Sequence, residues 1–471
     1  MIERLIKTIS PKWAAARARY RVQASAYEAA RSTRTRKLAS KSVTPNEATQ
    51  QSAVVLRNEA RHMERNHDLA KGALDVLVAN TVGLGIRPEP QVRLRNGDLA
   101  NELNDQLQEL WQDWALRPEV TWQLDLYAMQ RLACRSWLRD GECFGQLLTG
   151  RRATLDHGTR VPFSVELIEA DYVPFHVNEN GVMQGIAVNA WGRPVAYWVH
   201  KYAPTDYVKS QEFKRIPAEQ VIHVALRDRI RQMRGVSVFA SVLGRLADIK
   251  DIEESERVAA RVAAAMSAYI KKGDPASYGA FTGDSEYREL GMEPGIIFDD
   301  LLPGEEVGTI ASNRPNNALI PFRESQLRAA ASGLGSSYSS LSKDYNGTYS
   351  AQRQELVEQR MHYGVMHSQF VAQFHRPIYE RFIDAAMLML PQMDIDENTK
   401  YNASHSRPVM PWVDPLKEAK ALEIMRDRGW TSDSHIVRER GESFHEVIDQ
   451  IQRDQDYLSQ QGLANEEPDQ G

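Results

Sequence analysis

The run from Arg234 to Lys272 constrains this chain more than any other stretch. It contains no proline, and the one glycine well inside it is Gly244. Val238, Val242, Leu246, Ile249, Ile252 and Val258 recur at three- or four-residue steps with one longer gap, the period of a helix with a single apolar stripe. Asp248, Asp251, Glu253, Glu254 and Glu256 crowd its middle, and Arg257, Arg261, Lys271 and Lys272 lie towards its end. That polarity suits the helix dipole only at the C-terminal end. A helix from Val236 to Lys272 would reach about 55 Å, long for a compact globule. The chain then breaks at Gly273-Asp274-Pro275 and passes through GMEPGIIFDDLLPGEEVGTI, a Gly/Pro-punctuated segment of strand character. It returns to helix at Ile320 and ends this region in SGLGSSYSSLSKDYNGTYS. A rod with an acidic belly, a small β insertion, a second helix and a Ser/Gly/Tyr loop suit an element that needs neighbours, not an enzyme core.

The 471 residues suffice for two to four domains, and 42% hydrophobic with 26% charged residues permits a sizeable core. A formal charge of -5 argues against a nucleic-acid binder with a broad basic face, though not against DNA that slides past. Two cysteines, Cys134 and Cys143, make no disulfide framework and no cysteine metal cluster, which fits a reducing cytoplasm. MIERLIKTISPKW lacks the apolar run of a secretory signal, and no window is long and apolar enough to span a membrane. The expectation is a soluble intracellular protein.

Residues 12–42 hold an Arg/Ala-rich arm with Arg17, Arg19, Arg21, Arg31, Arg34, Arg36 and Lys37, either solvated or laid on a neighbouring subunit or acidic partner. Thr44 to Ala79 reads as one helix capped by Asn46, with His62 and His67 as surface residues on different faces. Gly83-Leu84-Gly85 follows a helix and lacks a third glycine, so it is a turn and not a dinucleotide loop. Helices are expected over Leu99–Trp114 and Leu126–Arg139. Alternating segments in ECFGQLLTG, VPFSVELIEADYVPF, GVMQGIAVNAWGRPVAYWVHKY and QVIHVALRD then give an antiparallel sheet. A long helix starts near Tyr349, bends at Pro377, and carries Leu356, Met361, Val365, Phe370, Phe374, Ile378 and Phe382 as a core stripe. Short helices follow, capped at Asp414-Pro415 and Thr431-Ser432-Asp433, before a frayed tail.

No Walker loop, His-Glu-x-x-His, Gly-x-Ser-x-Gly or Cys-x-x-Cys occurs. Glu142, Glu166, Glu169 and Asp171 sit at strand ends with no fixed partner visible, His200 and His223 are isolated strand residues, and the serines from Ser332 to Ser342 read as a flexible loop. Local chemistry points to an interaction or structural protein that uses no cofactor or metal.

Several stretches, in order and sensibly spaced over nearly the whole chain, resemble the lambda-like portal proteins of tailed bacteriophages. They are VLVANTVGLGIRPEP, LIEADYV, GRPVAYWVH, VIHVALRDRIRQMRGVSVFASVL, MEPGIIFDDLLPGEEV, AAASGLGSSYSSLSKDYNGTYSAQRQELVE, WVDPLKEAKAL and RGWTSDSHIVRERGESFHEVIDQ. The family usually has a Val-Pro-type turn where this chain has Ser336-Ser337. The resemblance implies an α+β, portal-type subunit: a mixed α/β wing, a two-helix stem, a small α/β clip, a long helix back through the wing and a helical C-terminal crown. On this sequence the parts would be a basic arm (1–43), wing (44–234), first stem helix (235–272), clip (273–317), second stem helix (318–338), tunnel loop (339–349), second part of the wing (350–408), and crown and tail (409–471).

The resemblance further implies a ring, generally of twelve subunits, at one capsid vertex, assembled in the host cytoplasm and serving as the channel for DNA packaging and ejection. Its partners would be other copies, double-stranded DNA, the terminase motor, the major capsid protein and scaffold, and head-completion or tail connector proteins; none is a membrane. Asp248, Asp251 and Glu254 would line the channel, where carboxylates repel phosphates that lysines would trap. Lys343, Asp344, Tyr345 and Asn346 would form the tunnel loop, and Asp299, Asp300, Glu305 and Glu306 the docking face of the clip. Two other readings are a hydrolase using Ser340 or carboxylates among Glu166, Glu169 and Asp171, and a helical adaptor or scaffold-like virion protein.

Overall fold

The computed structural model describes residues 12–13, 42–179, 181–204, 212–264, 268–272, 305–309, 318–409, 414–442 and 444–461. The basic-arm arginines and the frayed tail lie outside these ranges. The first helix, α1 (Pro45–Asn66), is capped by Thr44, not Asn46: Thr44 Oγ1 accepts from the Glu47 amide at 3.3 Å, and Glu47 Oε2 accepts from the Thr44 amide at 2.9 Å. The expected single helix to Ala79 is two, because His67 adopts an extended conformation and caps α2 (Asp68–Thr81). His67 is also no surface residue. Its Nδ1 accepts from the Leu69 amide, and Nε2 donates to the Leu246 carbonyl at 3.0 Å.

A short strand, β1 (Pro88–Pro90), precedes α3 (Asn101–Ala115) and α4 (Leu126–Asp140), both close to expectation. Gly141, at φ +88°, ends α4 in the left-handed conformation that glycine adopts without cost. The β region comprises β2 (Glu142–Thr149), β3 (Phe163–Ile168), β4 (Val182–Met183), β5 (Ile186–Val188), β6 (Pro194–His200), β7 (Phe213–Pro217) and β8 (Val221–Ala225). Its pairings are all antiparallel, in two sheets of order β3-β2-β8 and β4-β5-β6-β7. The sequence reading missed β7, whose FKRIP lacks a clean alternation of apolar and polar residues.

The central sheet is covered on both faces. Leu147, Phe163, Val165, Ile222 and Val224 join the main helical core, while Phe144 and Ile168 pack with Ile186, Tyr197, Val199 and Ile216 of the second sheet. That explains why β2 is buried from Glu142 to Leu148 despite its alternating sequence. Aromatic side chains join the helices to this sheet and to each other: Trp114 stacks on Phe163 with centroids 5.2 Å apart, and Trp111 meets the helical Phe382 edge-on at 4.8 Å.

The rod is shorter than its sequence suggests. After a 3-10 turn at Val238–Ser241, α5 runs only from Leu243 to Ala264, about 33 Å at helical rise. Ala268–Lys272 is not helix but a strand, β9, paired antiparallel with β10 (Glu305–Thr309). Tyr269 and Ile270 favour a strand, and ladder bonds to β10 outweigh the weak helical preference of a chain end with its break at Gly273. The return helix α6 (Leu319–Leu334) contacts α5 and ends at Gly335, at φ +66°. The serine cluster is not simply a flexible loop, since Tyr338–Ser342 forms a short helix, α7.

The long helix α8 (Tyr349–Phe370) starts where expected, capped by Thr348. A π-helical turn at Val371–His375 joins it to α9 (Arg376–Met387), so the missing amide of Pro377 is accommodated by re-registered hydrogen bonds just before it. Its stripe is core only from Phe370 onward; Leu356, Met361 and Val365 are exposed. A five-residue step from Leu356 to Met361, and another from Val365 to Phe370, turn the helix by about 500° each and so leave the face they start from. Next, β11 (Ala403–His405) pairs with β1, and α10 (Pro415–Asp427), α11 (Asp433–Glu439) and α12 (Phe444–Gln460) end the described chain.

Candidate channel wall, tunnel segment and wing-stem joint

Asp248, Asp251 and Glu254 are exposed on α5; Asp248 and Asp251 lie off the face that buries Leu243, Leu246 and Ile249, while Glu254, eleven residues after Leu243, lies nearly in line with it but beyond the last buried residue, Ile249. Steps of three residues spread the three carboxylates over about 120° of the helix circumference. Their neighbour Glu253 is taken by Arg323 of α6, and Arg245 donates to Gln326, so polar ties hold the two helices side by side.

The segment between α6 and α8 is braced at its base and open at its tip. Ser337 caps α7 by accepting from the Ser340 amide at 3.0 Å, and Ser339 Oγ donates to Glu355 of α8 at 2.7 Å. Leu341 is buried in the main core, and the Arg328 guanidinium sits 4.9 Å from the Tyr338 ring. Lys343 ends α7 at φ +57° and is exposed. Asp344 is half-buried: it accepts from Tyr338 Oη at 3.4 Å and from the Asn346 amide at 3.1 Å, an Asx-type turn. Tyr345 and Asn346 are exposed, and the Tyr345 carbonyl accepts from Gln352. The four residues named from sequence therefore share one turn, whereas 339–342 belong to a helix.

Of the residues expected to form a clip, Asp299 and Asp300 lie outside the described residues. The β9–β10 register sets Glu305 opposite Lys272 and Glu306 opposite Lys271.

The carboxylates considered for catalysis are held separately. Glu166 is 3.3 Å from Lys214, and Asp171 binds Arg57 at 2.9 Å and Arg61 at 2.7 Å. Among the described residues no cluster could hold a metal, and no helix is long and apolar enough to cross a membrane.

Sequence reasoning missed a tightly built, fully buried polar site between the start of β2 and the chain entering α5. Arg234 is fully buried, and its guanidinium grips Glu142 at the start of β2 through contacts of 2.6, 2.8 and 2.9 Å. The remaining donors reach the carbonyls of Val173 (3.0 Å), Gln184 (2.9 Å) and Ala170 (3.3 Å), and the cation sits 3.9 Å from the Phe175 ring centroid. Glu142 also accepts from the Gly235 amide at 3.0 Å and from His223 Nε2 at 3.2 Å. Burial works to raise the Glu142 pKa, but the Arg234 charge and the bonds from His223 and Arg234 hold it far below the usual carboxylate range. Burial pushes His223 down to about 4, against the pull of Glu142, so it is neutral and donates through Nε2.

Two glycines let the backbones cross here. A Cβ on Gly235 would stand 1.9 Å from the Gly141 carbonyl oxygen, and one on Gly141 would stand 2.4 Å from the Val236 carbonyl carbon. The sequence hint was glycine beside charge, Gly141-Glu142 and Arg234-Gly235, but nothing in one sequence pairs positions so far apart.

A mixed α/β body with an exposed acidic helix and a braced turn, and no candidate metal cluster among the described residues, fits an assembly subunit. The sequence model described as "Phage portal protein, lambda family" matches residues 31–366, and the chain belongs to that family. A "Probable portal protein" of Halomonas phage phiHAP-1 (isolate -/Gulf of Mexico/-/2001) is 23% identical over 434 residues, covering 87% of this chain and 82% of that protein. Among solved structures, a chain of the "Neck of empty GTA particle computed with C6 symmetry" is 12% identical with a TM-score of 0.49, over 82% of this chain and 94% of that one. A chain of the "Virion of native gene transfer agent (GTA) particle" is 11% identical with a TM-score of 0.48, over 85% and 99%. This chain is thus a phage portal protein of the lambda family.

Proposed function

We propose that about twelve copies close into a ring whose bore is walled by α5, with Asp248, Asp251 and Glu254 facing the DNA and the Lys343–Asn346 turn at its narrowest part. The observation that carries this reading is the exposed carboxylate row on α5 beside a turn that is anchored at its base and solvent-facing at Lys343 and Tyr345. A duplex slides past carboxylates because they release no counterions from it, whereas a wall of lysines would hold it with an affinity that rises steeply as salt falls. Lys343 supplies one cation per subunit for passing contact, and half-buried Asp344 tempers it.

In this reading the β9–β10 hairpin belongs to the base of the clip. There a terminase motor docks during packaging, and connector proteins dock afterwards. The wing meets the capsid protein and scaffold, α10–α12 form the crown inside the shell, and assembly takes place in the host cytoplasm. Hydrolysis is left to the motor. Packaging assays on the ring test the turn: Lys343→Ala should leave ring mass unchanged while altering packaging or DNA retention. Normal packaging by a chain lacking Asp344-Tyr345-Asn346 would reject the role of the turn.

A further inference from the structure

Two incomplete surfaces of this chain match each other. None of α10, α11 and α12 has a buried residue. Yet Phe444, Val447, Ile448, Ile451 and Leu458 of α12 fall in one stripe about 100° wide at helical spacing. The rest of α12 carries Glu446, Asp449, Asp454 and Asp456 against the single arginine Arg453. A helix of this length gains its stability from packing its apolar face, and here that face meets solvent: Ile448 and Ile451 are each 46% exposed. Among the described residues its base is tied down, by Arg438 to Glu89 at 2.6 Å and by Gln112 to Glu446 at 2.8 Å.

Next to that base lies an open groove of about 850 Å³. Val82, Leu84, Leu132 and Val409 line it with apolar surface, and Arg131, Arg407 and Arg440 line it with positive charge. Leu84 is 91% exposed, unusual for a leucine at the edge of a formed core. Gly441 and Glu442, just before α12, border the groove, but no residue from Phe444 to Gln460 does. The helix of a given subunit therefore leaves its own groove unfilled.

We propose that the groove of each subunit receives α12 of an adjacent copy, an acidic amphipathic helix laid apolar side down between arginines. The contact is head-to-tail, with different surfaces on the two partners, the kind that generates closed rings when the rotation closes. It recruits the anchors of a helix-in-groove interface, Phe444, Ile448, Ile451 and Leu458 at three-, four- and seven-residue steps. This inference rests on the ring reading above and adds which surfaces the copies exchange at the C-terminal end.

The test uses assembled rings of the full chain carrying Leu132→Cys and Ile451→Cys, treated with a short bis-maleimide. Cys134 and Cys143 are buried, so background coupling is low. The expected result is a ladder of covalent multimers on a denaturing gel, lost in either single-cysteine variant. Rings that yield only monomer, or an internally linked monomer, overturn the docking while leaving the ring intact. Hydrogen exchange on unmodified rings gives a second reading: amides of 444–460 should be protected relative to dissociated subunits, with the protection lost in Ile451→Asp. Equal exchange in ring and subunit overturns the proposal even where the cysteine variants fold poorly. If no rings form at all, the docking and the ring reading fall together.

Discussion

Replacing Glu142 with glutamine keeps the shape of the joint between β2 and the chain entering α5 but strips the buried Arg234 of its counter-charge. The guanidinium keeps its bonds to three carbonyls and its seat on Phe175, yet its charge then lies unpaired at a fully buried position. Breaking one side of a buried pair costs roughly 3–5 kcal/mol, most of it from the stranded charge. The excellent geometry here, with contacts as short as 2.6 Å, places the expected cost at the upper end. Set against the roughly 5–15 kcal/mol by which domains are stable, the variant should lose a large part of its margin. At about 2.1 cal/mol/K of unfolding entropy per residue, over the 471 residues this is on the order of a 5 °C fall in Tm. Scanning calorimetry on purified subunits reads it directly. The double variant Glu142→Leu with Arg234→Met should recover much of the loss, because it removes both charges at once. A Glu142→Gln protein melting within about 1 °C of wild type would refute the reasoning, since a loss of even 1 kcal/mol moves Tm by about that much.

Other consequences follow from the same structure. Stability should fall on acidification from about pH 6.5 to pH 4: His223 is held neutral with its pKa lowered to about 4, so the unfolded chain takes up a proton there that the folded chain refuses. Burial lowers His405 to about 4 as well, and each group contributes on the order of 3 kcal/mol over that window, measurable as the pH dependence of denaturant midpoints. A flat profile between pH 7 and 4 would contradict it. Gly335→Ala should destabilise the α6–α7 corner, because φ is +66° and the new Cβ would stand 2.4 Å from His362 Nε2; unchanged unfolding curves would count against the corner as drawn. Asp251→Lys with Glu254→Lys should make DNA retention by rings rise steeply at low salt, and an unchanged salt slope would remove these carboxylates from the bore.

How far the sequence was legible depended on range. Helices α3 and α4 could be read because Leu103, Leu107, Leu110, Trp111 and Trp114 repeat at helical steps and Gly141 stops the second helix; each signal is local. That Lys343 to Asn346 form a turn was legible for the same reason, as Asp344 and Asn346 build it themselves. Where distant partners decide, the reading failed. His67 breaks a helix because a carbonyl of α5 accepts its proton, and Ala268–Lys272 becomes a strand because Glu305–Thr309 lies beside it. The Glu142–Arg234 joint was invisible, since a charge next to a glycine reads as an ordinary turn until its partner is known. The exposed half of the α8 stripe was misjudged through spacing alone.

The most direct measurement is an end-on electron cryomicroscopy reconstruction of the purified particle at side-chain resolution. The account predicts a closed ring with a central bore, the Asp248–Asp251–Glu254 row of α5 on its wall, and Lys343 to Asn346 at the narrowest point. A ring whose bore is walled by other elements, with that row turned towards a neighbouring subunit, would contradict it.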